Sequence, residues 1–297
     1  MEASKEKLAY GEVSTMERNG IGILIYDTKD EAGTRVIFLV KDGKAVMIEH
    51  PGFKKNITEL SAYLQRQDFT VVSKLVSYHA AGASFLPDAE ACMTESARDY
   101  NDDGVGAQLV EDFASIYGFT FDDDLVRPDR ILPAGETEIA GIRLEIVPVA
   151  EAYEIVIPEA NAVYMHMLGH DSHSIVFGVE GAESEVRRLQ GYLDRGIDLF
   201  LSSHHDPEGR EDVDVKIAYL NDLKEIAATC RTCEQFASKV LMKYNDYDGK
   251  NFVEMSSWFF FDLEREGRLD TSVVIRFYAR GQLEHLGVYI PRLTVRL

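Results

Sequence analysis

Six of the eight histidines lie in three short segments of the chain. They are His79, a middle group of His166, His170 and His173, and the adjacent pair His204 and His205. Imidazole and carboxylate side chains bind borderline metals such as zinc, and imidazole is also a common proton carrier near neutral pH. These segments therefore indicate either a metal site or acid–base chemistry.

The composition is that of a globular chain with a strong acidic excess. The 297 residues are 45% hydrophobic and 28% charged, and the formal net charge is −20. No basic stripe interrupts this charge, so a nucleic acid or an anionic membrane surface would be repelled. We therefore expect no nucleic-acid partner and no membrane partner.

Cysteine usage and the first residues of the chain favour a cytoplasmic protein. The N-terminal segment lacks the apolar core of a signal peptide, and no apolar run approaches membrane-spanning length. The three cysteines, Cys92, Cys230 and Cys233, do not make a disulfide framework. Cys230 and Cys233 have CxxC spacing but lie in a helical pattern, so we assign them no metal or redox role.

Strand patterns dominate the first half of the chain, and helical patterns enter in the second. Asp42-Gly43 and Ala140-Gly141 predict hairpin turns, and Asn56 is a candidate helix N-cap. The predicted strands cover 20–26, 35–40, 45–49, 71–76, 89–93, 153–157, 162–167, 198–202, 272–278 and 286–290. The predicted helices cover 105–117, 182–195, 212–229 and 233–243. This order fits one layered α/β or α+β domain over residues 1–297.

Four polar positions share one local pattern, in which an apolar strand ends and a polar cluster follows. They are His79, Glu151, the pair His170 and Asp171, and His204. Side chains placed just past strand ends stand on a rigid frame and can converge at one edge of a sheet.

The order and gaps of these four positions resemble those of the metallo-β-lactamase fold superfamily. The hairpin 38–49 also looks like the first hairpin of that family, with Glu49 standing where the family usually has an aspartate. The resemblance covers about 20–210 and implies a four-layer αββα sandwich, with about 211–297 as added helices and strands. It implies metal ligands at His79, Glu151, His170, Asp171 and His204.

The metal motif of that family, HxHxDH, is degenerate in this chain. If His79 is its first histidine, Ala81, Ala83 and Ser84 replace the second histidine, the aspartate and the last histidine. In the family this aspartate positions the attacking water and helps to protonate the leaving group, and alanine can do neither. The resemblance therefore implies one zinc, manganese or iron ion, or none, rather than a pair.

A second alignment to the family stays open. In it, the segment from His166 to His173 takes the place of the family's Gly-His-Thr motif. This alignment leaves no bridging acid at a suitable position before His204.

Three functions remain open. The first is a mononuclear metal-assisted hydrolase of a small ester, lactone or amide, with Asp171 or His205 as the proton carrier. The second is a metal-free enzyme that uses His79, His170 or His204 as acid or base. The third is a non-catalytic binding or assembly protein, in which apolar residues 258–261 would cover the core or form a homodimer interface.

The other histidines receive a structural assignment. His166 and His173 alternate with apolar neighbours, so we expect each to be a hydrogen-bonded structural residue. His50 and His285 are isolated, and we give them no role. We expect the partner to be a small-molecule substrate.

Overall fold

The computed structural model describes residues 4–261. Within this range the chain divides into two compact units. The first contains residues 4–168 and 196–209, and the second contains residues 169–195 and 210–261. The first unit holds both β-sheets, and the second holds helices.

The larger sheet has eight strands in chain order. They are β1 (Ser4–Lys7), β2 (Glu12–Arg18), β3 (Ile21–Asp27), β4 (Arg35–Lys41), β5 (Lys44–Ile48), β6 (Thr70–Leu75), β7 (Glu90–Met93) and β8 (Arg130–Ile131). Strands β1 to β5 form an antiparallel meander, whereas β6, β7 and β8 each run parallel to the preceding strand. Asp42 and Gly43 have φ values of 50° and 74°, which a type I′ turn requires. The predicted hairpin is therefore confirmed.

The smaller sheet has five strands in the order β13-β12-β11-β10-β9. Their bounds are β9 (Gly135–Ile139), β10 (Ile142–Pro148), β11 (Tyr153–Ile157), β12 (Ala162–Met165) and β13 (Leu199–Ser202). Ala140 and Gly141 turn between β9 and β10 with φ of 55° and 76°, as the sequence predicted. Only the β12–β13 pair in this sheet is parallel, so the ends of these two strands lie side by side.

The two sheets pack face to face over one hydrophobic core. Alternate residues such as Ile37 and Leu39 of β4 meet Leu144 and Ile146 of β10 in that core, where all four are at most 1% exposed. Each fully buried aliphatic side chain of this kind contributes about 1.5–3 kcal/mol. The other face of the larger sheet is covered by α1 (Lys54–Leu64), whose apolar face packs against β3 and β4. Helices α2 (Glu95–Asp102) and α3 (Val105–Tyr117) follow β7.

The second unit is helical within the described residues. It contains α4 (Gly178–Asp194), α5 (Arg210–Ala228), α6 (Cys233–Lys243) and α7 (Asn251–Phe261). Two aromatic side chains of α7 pack inside this unit: Phe260 stacks on Phe236 at 4.8 Å, and Phe259 contacts Phe177 at 4.6 Å between ring centroids. No helix in the described part of the chain is both long and apolar enough to cross a membrane.

The prediction that Asn56 is a helix N-cap is wrong. Helix α1 begins at Lys54 with Phe53 as its N-cap, and Asn56 is the third residue of the helix. The Asn56 side chain is buried and donates to the Tyr26 hydroxyl at 2.9 Å and to the Thr28 carbonyl at 2.7 Å. It therefore anchors the helix to the sheet instead of capping it. The strands predicted at 272–278 and 286–290 lie outside the described residues.

Candidate metal centre

Three histidines of the first unit follow the ends of three strands. His79 comes four residues after β6, His166 comes directly after β12, and His204 comes two residues after β13. Met165 of β12 pairs with Ser202 of β13, so the parallel register delivers His166 and His204 to the same edge of the smaller sheet. The parallel pairing of β12 and β13 therefore explains why His166 and His204 meet.

The three imidazoles form one compact cluster. Their ring centroids are separated by 5.0 Å for His79 and His166, 5.0 Å for His79 and His204, and 4.8 Å for His166 and His204. Each ring offers one nitrogen, and these three nitrogens lie within 4.8 Å of one another. Three imidazoles are a common protein ligand set for a zinc ion with one open position.

Each of these histidines has one buried ring nitrogen without a hydrogen-bond partner: Nδ1 of His79, Nδ1 of His166 and Nε2 of His204. Burial lowers the pKa of His79 to about 4. Burial, reinforced by the neighbouring histidines, holds the pKa values of His166 and His204 well below the ordinary value. All three are therefore neutral at pH 7, which is the form that binds metals. Unpaired neutral nitrogens fit a metal ion.

A buried carboxylate supports the histidine cluster. Glu49 follows β5 in the left-handed region, with φ of 64°, and its side chain is fully buried. Its oxygens accept from the backbone N–H of Tyr78 at 3.0 Å, the N–H of His79 at 2.8 Å and the Tyr164 hydroxyl at 2.6 Å. Burial raises the pKa of Glu49, and these hydrogen bonds oppose the rise. Glu49 thus fixes the backbone that presents His79.

A cation also lies near the cluster, but its charge is already paired. Arg35 contributes to lowering the pKa of His204. Its side chain is 11% exposed, and its guanidinium lies 2.9 Å from a carboxylate oxygen of Asp27 and 2.9 Å from one of Asp206. Its backbone N–H donates to the Ser203 carbonyl at 2.6 Å. The backbone of Arg35 therefore holds the segment before His204. Two aspartates balance the charge of its side chain.

Searches of protein-family models and of curated proteins find no match to the sequence. Solved structures do match. A metallo-beta-lactamase family protein from Thermus thermophilus is 15% identical, with a TM-score of 0.58 over 84% of this chain and 94% of that one. A metallo beta lactamase from Erythrobacter litoralis is 12% identical, with a TM-score of 0.52 over 74% of this chain and 100% of that one. The chain has the metallo-β-lactamase fold.

The same fold occurs in part of a longer protein of known structure. The stereoselective inverting sec-alkylsulfatase from Pseudomonas sp. is 14% identical, with a TM-score of 0.54 over 90% of this chain and 49% of that one. The α/β sandwich predicted from the sequence is confirmed, and the low identities agree with a divergent member of the metallo-β-lactamase fold.

The degenerate motif of this metallo-β-lactamase fold is held by hydrogen bonds of the protein. Ala81 and Ala83 carry no metal donor, and the Ser84 hydroxyl donates to Asp122 at 2.5 Å. The backbone N–H of Gly82 donates to the Asp122 carbonyl at 2.9 Å. The segment after His79 is therefore tied to Asp122, whose side chain is buried.

The other predicted site residues are not among the three histidines of the cluster. Glu151 is exposed in the turn between β10 and β11. His170 and Asp171 belong to the second unit, where His170 Nδ1 lies 3.8 Å from a carboxylate oxygen of Asp212. His205 follows His204 and is half-buried. The metal or catalytic roles of Glu151, His170, Asp171 and His205 stay predictions.

His166, which the sequence assigned as a hydrogen-bonded structural residue, lies instead in the three-histidine cluster. Its Nδ1 is unpaired, and its ring is part of the three-histidine group, stacked on Tyr78 at a centroid distance of 3.9 Å. The signal that could have identified it is its position directly after β12, next to the parallel strand that leads to His204. The structural assignment of His173 is confirmed, because its Nδ1 lies 2.9 Å from the Tyr219 hydroxyl.

Proposed function

We propose that the chain is a mononuclear metal-dependent hydrolase in which His79, His166 and His204 hold one divalent ion. The observation that carries this proposal is the convergence of three imidazoles, each of which offers one nitrogen within 4.8 Å of the others and each of which also has a buried nitrogen without a hydrogen-bond partner. Leaving a buried polar atom unpaired costs about 1–3 kcal/mol, so three such atoms together favour a site that a ligand completes.

The bound ion would act as a Lewis acid that activates water and polarises a carbonyl group. The residues of the chain supply the rest of the site. Neutral His79, His166 and His204 donate lone pairs, and the buried carboxyl group of Glu49 lies 3.9 Å from His79 Nδ1 and holds the backbone that presents this histidine. His205, next to His204, is our candidate for carrying a proton to the leaving group. Ala83 supplies no carboxylate for that step.

The charges around the site favour an uncharged scissile group. A sulfate or phosphate ester is best bound where a cationic side chain assists the metal ion, and the Arg35 guanidinium is already paired with two aspartates. Ala81 is also buried with Phe53 and Phe121, which adds an apolar wall beside the segment that carries His79. A small ester, lactone or amide therefore suits this site better than an anionic ester.

Metal content tests the proposal. Untagged protein, purified without chelator, is expected to contain about one zinc, manganese or iron ion per chain by mass spectrometry. His166→Ala should lose the ion, whereas His170→Ala in the second unit should retain it. Loss in His170→Ala with retention in His166→Ala would overturn the three-histidine set in favour of the ligands predicted from the sequence. Folded wild-type protein without metal would overturn the proposal altogether.

Turnover tests the substrate class. Aryl esters and lactones should be hydrolysed by the metal-loaded protein, and sulfate monoesters should not. Replacing the proton carrier in His205→Gln should lower kcat by about 10²-fold with little change in metal content. Preferential cleavage of sulfate monoesters would contradict the assignment to uncharged esters.

The metal-free alternative rests on a different observation. Ala81, Ala83 and Ser84 replace three residues of the family motif, and Ser84 is engaged by Asp122. A protein that folds without metal and has no turnover on esters, lactones or amides would be a binding or assembly protein that retains the fold. The same metal and turnover measurements distinguish this alternative from the hydrolase.

A further inference from the structure

We infer that Ser202 is a positioning residue that sets the spacing of His166 and His204, an inference that rests on the proposed metal site. Ser202 is the last residue of β13 and is 3% exposed. Its hydroxyl donates to the His166 carbonyl at 3.0 Å. It accepts from the backbone N–H of His204 at 3.2 Å and from the N–H of Leu168 at 3.3 Å.

These three bonds use the full capacity of the hydroxyl. A serine hydroxyl has one proton to donate and two lone pairs to accept with. The proton is directed to the His166 segment, and the two lone pairs accept from residues on both segments. One side chain therefore bridges the two segments after their strands have ended. Because its donor and acceptors are occupied, Ser202 is suited to hold the histidines and not to contact substrate.

The backbone pairing of β12 and β13 by itself constrains the segments after these strands only weakly. Beyond the β12–β13 pairing, one backbone bond continues the ladder, from the Ser203 N–H to the His166 carbonyl at 3.1 Å. His204 lies one residue further, and its N–H turns back to the Ser202 hydroxyl. Without that hydroxyl, the N–H groups of Leu168 and His204 would both lose an acceptor. The two segments that carry His166 and His204 would then no longer be joined by a side-chain hydrogen bond.

Ser73 provides a matched control in the other sheet. It is 1% exposed on β6, and its hydroxyl donates to the Glu90 carbonyl of the neighbouring parallel strand at 3.1 Å. Ser73→Ala therefore removes a buried serine hydroxyl of the same kind without touching the β12 and β13 ends. Ser202→Thr keeps the hydroxyl at the site and serves as the conservative variant.

The first measurement needs no metal. Amide hydrogen exchange of Leu168 and His204 is followed by NMR in metal-free wild-type protein, Ser202→Ala, Ser202→Thr and Ser73→Ala. Exchange at these two amides should be at least about fivefold faster in Ser202→Ala, because each loses a hydrogen bond. Ser202→Thr and Ser73→Ala should exchange there at the wild-type rate.

The second measurement is zinc affinity by competition with a chromophoric chelator. Supporting residues of this kind typically contribute 10–100-fold to metal affinity, so Ser202→Ala should bind zinc at least about tenfold more weakly. Ser73→Ala should stay within about twofold of wild type. Unchanged amide exchange, or unchanged zinc affinity in a Ser202→Ala protein that exchanges faster, would overturn the positioning role. Wild-type protein that binds none of zinc, manganese and iron would instead refute the proposed function, while amide exchange would still decide whether Ser202 holds the two segments.

Discussion

At the scale of single residues, the candidate metal centre is characterised by buried ring nitrogens that make no hydrogen bond. The buried nitrogens of His79, His166 and His204 have no hydrogen-bond partner, although most buried polar atoms in proteins have one. Burial also keeps these rings neutral. A buried ring nitrogen without a partner lowers the stability of the folded protein, whereas a metal ion that binds this nitrogen would remove the penalty. Metal binding should therefore raise the stability of the folded state.

That coupling gives a prediction for zinc. A ligand that binds only the folded state stabilises it by RT ln(1 + [L]/Kd), which is about 2.7 kcal/mol at 100 times Kd. We expect zinc to raise the Tm of the metal-depleted wild-type protein in a concentration-dependent way. The measurement is thermal unfolding with and without zinc, and His166→Ala should abolish the increase. An equal increase in wild type and His166→Ala would place the zinc elsewhere.

Glu49 gives a second residue-scale prediction. Its two oxygens accept from the N–H groups of Tyr78 and His79 and from the Tyr164 hydroxyl. Glu49→Gln replaces one acceptor with an NH₂ group that faces a donor, so we expect the free energy of unfolding to fall by about 1–3 kcal/mol. Urea unfolding measures the change, with exposed Glu138→Gln as the control. Equal stability of Glu49→Gln and wild type would show that the carboxylate does not hold this backbone.

At the scale of elements, the sequence predicted the strands better than the residues that follow them. The hairpin turns at Asp42-Gly43 and Ala140-Gly141 depend on local backbone preferences, which a sequence displays directly. The identity of the third histidine depends on which residue faces the cluster after β12 ends. His166 and His170 are four residues apart, so the spacing along the chain could not choose between them. In the structure the ring centroid of His166 lies 5.0 Å from that of His79 and 4.8 Å from that of His204.

The segment that carries the degenerate motif gives a prediction at this scale. Gly82 has φ of 92°, and a Cβ built there would lie 2.1 Å from the Pro51 carbonyl oxygen. Gly20 has a similar φ of 82° but open space around it. Gly82→Ala therefore adds a backbone clash to the same conformational strain, which by itself costs about 1–2 kcal/mol.

We expect Gly20→Ala to lower the free energy of unfolding by about 1–2 kcal/mol and Gly82→Ala to lower it by clearly more. Chemical denaturation of the two variants makes the comparison. Gly82→Ala should also weaken zinc binding, because Gly82 lies three residues after His79. A Gly82→Ala protein as stable as Gly20→Ala would show that the Pro51 segment moves to accept the methyl group.

At the scale of the whole molecule, the fold could be predicted because it depends on many residues. Alternating apolar positions along the strands fix which faces of the two sheets are buried, and single substitutions do not erase that pattern. The site depends on a few side chains, and Ala81, Ala83 and Ser84 remove most of the family's motif. Solved structures at 12–15% identity consequently share the fold of this chain without indicating its ligands.

Buried neutral histidines should make the whole chain sensitive to acid. Burial lowers the pKa of His173 to about 4, with help from the charges of Lys216 and Lys250. The unfolded chain binds a proton near pH 6.5, so between about pH 6.5 and 4 it holds more protons than the folded state. Stability therefore falls as pH decreases through this window and is independent of this group above it. His50 and His79, with pKa values of about 3 and 4, act in the same direction.

The variant His173→Asn separates the contribution of His173 to this acid sensitivity from the contributions of the other histidines. Asparagine keeps a polar atom near the Tyr219 hydroxyl, which lies 2.9 Å from His173 Nδ1, but it does not titrate. Between pH 7.5 and 5, the wild-type free energy of unfolding should fall by about 1–2 kcal/mol more than that of His173→Asn. Urea unfolding at both pH values, in the presence of a chelator, provides the measurement. Parallel losses in the two proteins would mean that His173 titrates normally in the folded state.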